Sequence, residues 1–155
     1  MISTPHSHFI SPGFNVRPLD INSFIVLRQL DKVDKFAQAR DRNHRRYMEN
    51  LRDDLEFQDV SNNNIVASIS FGALAKDNQQ RRKIVSEMTE KGIDSRIYSA
   101  GSLDQHPLWF ERHPKINDSL SLKIHETGFF IPNNQELQEK DIDFISSVVK
   151  NAING

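Results

Sequence analysis

Apolar residues recur from Asp20 onward at helical spacing, as Ile21, Phe24, Leu27, Leu30, Val33 and Ala37, then Tyr47, Met48, Leu51 and Leu55. The pattern predicts one helix of roughly ten turns, capped by Asp20 and far longer than the ~11-residue average. Its waist is polar, because Arg40, Asp41, Arg42, Asn43, His44, Arg45 and Arg46 follow one another. A helix of that length and polarity links layers or domains more readily than it lies inside one core. After a turn at Ser61 to Asn64, the β-branched run Ile65 to Phe71 predicts a strand. Asp77 with Gln80 three residues on predicts a cap for a helix carrying Ile84, Val85 and Met88 and closing at Gly92. Ile93 to Tyr98 then reads as a second strand, which completes a strand, helix, strand unit.

Beyond it, Gly101 to Pro114 predicts a loop with an aromatic island at Trp109 and Phe110, and Asn117 to Glu126 a short helix stopped by Gly128. Phe129 to Ile131 ends at Pro132, as a short edge strand would. Ile142, Ile145, Val148, Val149 and Ile153 share one face of a last helix. The expectation is an α+β sandwich, with a sheet of about three strands covered by helices. We divide it into an irregular lead-in over residues 1–19, a long linking helix over 20–57 and an α+β small domain over 58–155.

The chain has 155 residues, 37% hydrophobic and 26% charged, enough to bury a core. Lys and Arg total 20 against 21 Asp and Glu, so no global field draws it to nucleic acid or an anionic membrane. With no cysteine there is no disulfide, thiolate nucleophile or cysteine zinc site. No run reaches the ~18 to 20 apolar residues of a membrane span, and Met1 to Pro12 does not read as a signal peptide. The expectation is a soluble, intracellular protein.

Pro12 and Gly13 place the Asn15 amide and the Arg17 guanidinium together at the mouth of the first helix, a pairing suited to a phosphate. A capped helix entrance with a solvated arginine explains the same residues. His6 and His8 point the same way in an extended segment, but two ligands without an acidic neighbour do not make a metal site, and none is expected. Arg40, Arg42, Arg45 and Arg46 are spread around the helix and interrupted by Asp41 and Glu49, so they read as a solvated, ion-paired face.

Three segments together resemble the C-terminal third of the DegT/DnrJ/StrS family of pyridoxal-phosphate-dependent sugar aminotransferases. They are Pro12 to Asp20 continuing through Leu27 to Val33; Lys91 to Arg96 leading to Ala100-Gly101-Ser102 and His106 to Trp109; and Gly128 to Asn134 followed by Glu139 to Ile142. The resemblance implies the C-terminal small domain of a fold type I aminotransferase. It also implies a cytoplasmic homodimer that moves an amino group from glutamate or glutamine to a nucleotide-linked keto sugar, in the synthesis of surface polysaccharide. A neighbouring branch, the ColD-like dehydrases, acts on similar sugars, and the matched segments do not separate the two.

By the same resemblance, Asn15 and Arg17 touch the cofactor phosphate across a subunit interface, and Arg96, Tyr98, Ser102, His106 and Trp109 line the substrate region. The cofactor lysine belongs to an upstream domain, so the chain is expected to be a split or truncated enzyme, inactive alone, with pyridoxal phosphate shared with a large-domain polypeptide or partner chain. Lys76 follows a run from Ser70 and Phe71 that superficially resembles the Ser-Phe approach to that lysine. Its place after the Asn15 turn makes it a solvated bystander. Gln138 stands where the family has a threonine cap, a change expected to cost about 1 kcal/mol at the last helix. The competing expectation is a non-enzymatic binding module, which would enclose the apolar stripe of its first helix.

Overall fold

The computed structural model describes residues 19–60, 65–98, 101–113 and 118–155, so the Asn15 and Arg17 turn, His6, His8 and the Ser61 to Asn64 turn lie outside the described residues. The predicted long helix is helical through Leu51 but is interrupted. Helix α1 (Asp20–Leu27) gives way to a 3₁₀ turn (Leu30–Lys32), and α2 (Val33–Leu51) resumes. At the break the backbone switches to tighter bonds, with the Gln29 N–H donating to Val26 O at 2.8 Å and the Lys32 N–H to Gln29 O at 2.9 Å. Neither Gly nor Pro causes it. No residue of α1 is buried, so no tertiary packing holds this stretch in a continuous helix.

The helix also ends before Leu55, because Asp53 and Asp54 sit where the negative end of the helix dipole disfavours carboxylates. Leu55 is buried instead in the body, and β1 (Glu56–Phe57) pairs antiparallel with β2 (Ser70–Leu74). The strand predicted over Ile65 to Phe71 therefore lies further along. Residues 66 to 68 have backbone groups claimed by side chains: the Val66 N–H donates to Asp41 Oδ1, while the Ala67 and Ser68 carbonyls accept from Arg40 and Asn133. Those bonds hold the segment off the ladder.

The strand, helix, strand unit is present as β2, α3 (Asn78–Glu90) and β3 (Arg96–Ile97), yet its two strands do not touch. After the 3₁₀ turn Leu103–Gln105 and the short helices α4 (Pro107–Phe110) and α5 (Ser119–Thr127), β4 (Gly128–Pro132) enters between them. The four-stranded sheet has the order β1-β2-β4-β3, and every pair is antiparallel. β4 is thus an interior strand, not the edge strand expected. Pro132 is tolerated because it is the last residue of the strand, where its carbonyl accepts the Tyr47 hydroxyl at 2.9 Å.

Phe71 and Ala73 of β2 and Phe129 and Ile131 of β4 form the inner face of the sheet. Tyr47 and Leu51 of α2, Ile84 and Met88 of α3, and the stripe Ile142, Ile145, Val148 and Val149 of α6 (Glu139–Asn154) cover it. The helical spacing in α3 and α6 therefore marks the faces that are buried. At the start of α6 the missing threonine is compensated, since Asp141 Oδ2 accepts the Gln138 N–H at 2.9 Å. Asp77 caps α3 as expected, accepting the Gln80 N–H at 2.8 Å, and Gln80 Oε1 accepts the Lys76 N–H at 2.7 Å in return. Asp77→Ala is expected to lower stability by about 1 kcal/mol, seen as a lower urea midpoint at unchanged slope.

Candidate functional site

The outer face of the sheet is built from the alternate residues of the same strands: Ser70 and Gly72 of β2, Gly128 and Phe130 of β4, and Arg96 of β3. Tyr98, just past β3, lies on this face with its ring 4.2 Å from that of Phe130. Two glycines admit it. A Cβ on Gly72 would sit 2.3 Å from the Tyr98 hydroxyl, and one on Gly128 would sit 2.6 Å from its ring. Burial raises the Tyr98 phenol above its ordinary pKa, so it remains a neutral hydrogen-bonding group.

Next to Tyr98 and Phe130, a half-open groove of about 550 Å³ runs over Ser70, Phe130 and Pro132 between Arg96 on one side and Arg40, Asn134 and Gln135 on the other. Arg96 is 79% exposed at its side chain and only loosely paired with Asp94, at 3.8 Å. Arg40 departs from the ion-paired face expected of the helix arginines. Its Nη2 and Nε donate to the neutral Gln135 Oε1 at 2.8 and 3.2 Å, and its Nη1 to the Ala67 carbonyl. Arg45 and Arg46 follow the expectation: Arg45 pairs with Asp41 at 2.8 Å, and Arg46 with Asp143 at 2.7 Å and Glu139 at 3.0 Å. The Arg46 and Asn50 bonds hold the Asp143 carboxyl down to about 2.

The structure divides the sequence-derived candidates. Arg96 and Tyr98 face outward, whereas Ser102 and His106, expected on an exposed loop, are turned inward and are 5% and 3% exposed. The Ser102 hydroxyl donates to the Asp104 carboxylate, which also accepts from Gln105. Trp109 lies on α4 with its ring 4.3 Å from that of His113. Gly101 joins the two sets, since its N–H donates to the Tyr98 carbonyl at 2.9 Å.

Four contributors escape a reading of the chain alone. Arg40 and Gln135 meet across 95 positions, and the fully buried Asn133 bridges the Arg40 and Ser68 carbonyls. His125, with no ligand-like spacing, packs on the loop of Ser102 and His106. The Asn133-Asn134 pair in the matched segment was the one available signal. Among the described residues, no group of three or more His, Asp or Glu side chains is arranged to hold a metal, and no helix is long and apolar enough to cross a membrane.

Lys76 is exposed, just ahead of α3. Among the described residues, none covers the apolar stripe of the first helix. Ile21, Phe24, Leu27 and Leu30 are each more than half exposed.

Comparison with known proteins gives this arrangement a context. A GDP-4-keto-6-deoxy-D-mannose 3-dehydratase of Escherichia coli O55:H7 is 24% identical over 147 residues, covering 92% of this chain and 38% of the relative. Among solved structures, a DegT DnrJ EryC1 StrS aminotransferase from Brucella abortus superposes with a TM-score of 0.78 at 21% identity, over 99% of this chain and 40% of that one. An Escherichia coli GDP-4-keto-6-deoxy-D-mannose 3-dehydratase with bound hydrated pyridoxal phosphate gives a TM-score of 0.67 at 23% identity, over 91% and 38%. The fold is shared, pyridoxal phosphate is the cofactor of such relatives, and the chain spans about two fifths of their length. The family model for the DegT/DnrJ/EryC1/StrS aminotransferases matches residues 3–150, and to that family the chain belongs.

Proposed function

We propose that this chain serves as the C-terminal part of a pyridoxal-phosphate enzyme acting on nucleotide-linked keto sugars, with the cofactor lysine supplied by another polypeptide segment. The parent reaction is transfer of an amino group from glutamate or glutamine to the keto sugar, in the cytoplasmic synthesis of surface polysaccharide. The dehydratase relative favours removal of the 3-hydroxyl as the alternative reaction. In this reading the lead-in over 1–19 brings Asn15 and Arg17 to the cofactor phosphate, the helical arm over 20–57 spans to the larger body, and residues 58–155 form the small domain. Arg96 and Tyr98 meet the substrate from the outer face, and the loop of Ser102 and His106 presents Trp109 beside them. A homodimer, or a separate large-domain chain, completes the site.

The observation that carries this reading is the uncovered stripe on α1. Phe24 at 59% and Leu27 at 63% exposure form part of an apolar surface whose burial would contribute several kcal/mol to docking. A self-contained binding module would enclose it.

The test mixes the purified chain with pyridoxal phosphate, with and without a polypeptide carrying the upstream domain, and follows the cofactor chromophore through gel filtration. Retention is expected only in the mixture, and Arg17→Ala should weaken it by at least about tenfold. A borohydride-reducible adduct on Lys76 in the chain alone would overturn the proposal.

A further inference from the structure

His125 lies in the last turn of α5, and its ring closes on the loop that leaves β3. Its Nδ1 accepts the Ser102 N–H at 3.2 Å, so the neutral ring carries its proton on Nε2. The turn before Ser102 is shaped to this contact. Gly101 adopts φ +60°, and a Cβ there would lie 2.1 Å from the same nitrogen. On the other side, the Arg81 guanidinium of α3, itself buried, donates to the His125 carbonyl at 2.8 Å. The His106 ring stands edge-on at 6.5 Å.

Among the described residues, the charged and titratable groups that act on the imidazole include Arg81 from α3, His106 and Asp104 from the loop, and Glu126 from α5 itself. Burial, His106 and Arg81 disfavour its protonated form, and they outweigh the attraction of Glu126 and Asp104.

We propose that His125 is a positioning residue whose neutral Nδ1 latches the Gly101-Ser102 turn, fixing where the loop from Ser102 to Trp109 stands beside the outer face, and that protonation of this nitrogen releases the loop. A protonated Nδ1 is a donor, and it would then face another donor at 3.2 Å, which no small adjustment converts into a bond. The loop stays folded on Asp104 by its own hydrogen bonds, but the Ser102 N–H bond to His125 is lost. The inference rests on the proposed function only in calling this loop sugar-facing.

Nuclear magnetic resonance on the whole chain tests the latch without cofactor or substrate. The ¹⁵N shifts of His125 should report the Nε2–H tautomer at about pH 7.5. As pH falls from about 7.5 through the depressed folded value of His125, the protection factor of the Ser102 amide should fall by at least about tenfold, while the Ala73 amide in β2 keeps its own. His125→Asn places an oxygen near the position of Nδ1 and does not titrate, so protection there should be flat with pH. His125→Phe should lose it at every pH.

An Nδ1–H tautomer, or a wild-type profile as flat as that of His125→Asn, would overturn the latch and leave the proposed function standing. Conversely, an intact latch in a chain that never retains cofactor with its partner domain would sink the function and not the latch.

Discussion

Phe71→Ala is expected to remove about 3 to 5 kcal/mol of stability, a large share of the ~5 to 15 kcal/mol that holds a domain folded. Phe71 is fully buried on β2, paired in register with Ile131, and its ring meets those of His44, Tyr47 and Phe57 at 4.9, 5.0 and 5.5 Å. It is the point where α2, β1 and β2 converge. Truncation would empty that point, and the surrounding strands and helix are held too firmly by the ladder and by the Tyr47 to Pro132 bond to collapse into the space. Urea unfolding followed by circular dichroism measures the effect. Phe71→Leu, which keeps much of the volume, should cost far less. A loss below about 1 kcal/mol for the alanine variant would mean that the aromatic cluster is not the core's centre.

The second large effect is on pH. His44 is buried against Phe71, and neither ring nitrogen has a hydrogen-bond partner. Burial is the main reason that its pKa lies below the ordinary 6.5; Asp41 opposes the shift and Arg45 adds to it. His125 is depressed for the same leading reason. In both cases the folded state keeps the ring neutral where the unfolded chain takes a proton. Their contribution is therefore fully present above pH 6.5 and is lost as pH falls from there through the folded values.

Each proton taken up by the unfolded chain alone lowers stability by about 1.4 kcal/mol per pH unit, so the pair together can reach roughly twice that slope. Urea midpoints between about pH 8 and pH 5 should be flat and then fall. His44→Leu should remove about half the slope at no cost near neutrality, because the imidazole makes no hydrogen bond that leucine would lose. A flat profile in the wild type would show that these rings are accessible to protons in the folded state. The Arg46 and Asp143 pair does not confuse this window, since its carboxyl, held down to about 2, stays ionised throughout.

The candidate site was only partly legible in the chain. Arg96 and Tyr98 could be named because they follow a glycine turn in a matched segment, and the period-two alternation of a strand places them on one face. Ser102 and His106 were named from the same segment, yet their inward orientation depends on His125 and on Asp104, which no local pattern assigns to them. Arg40 read as one more surface arginine. Its partner Gln135 is 95 positions away, and only the folded chain brings an uncharged amide to it in place of a carboxylate.

Local chemistry settled the elements whose signal is periodic or capped. The faces of α3 and α6, the Asp77 cap and the α+β class all follow from side-chain spacing, because amphipathic faces must find a core whichever neighbours supply it. Tertiary structure decided what depends on competition for partners: the break after α1, where nothing is buried; the late start of β2, whose preceding backbone is claimed by Asp41, Arg40 and Asn133; and the interior place of β4. Hydrogen bonds between residues distant in sequence choose among backbones that local propensity leaves nearly equal in energy, so they are settled only once the chain has folded around them.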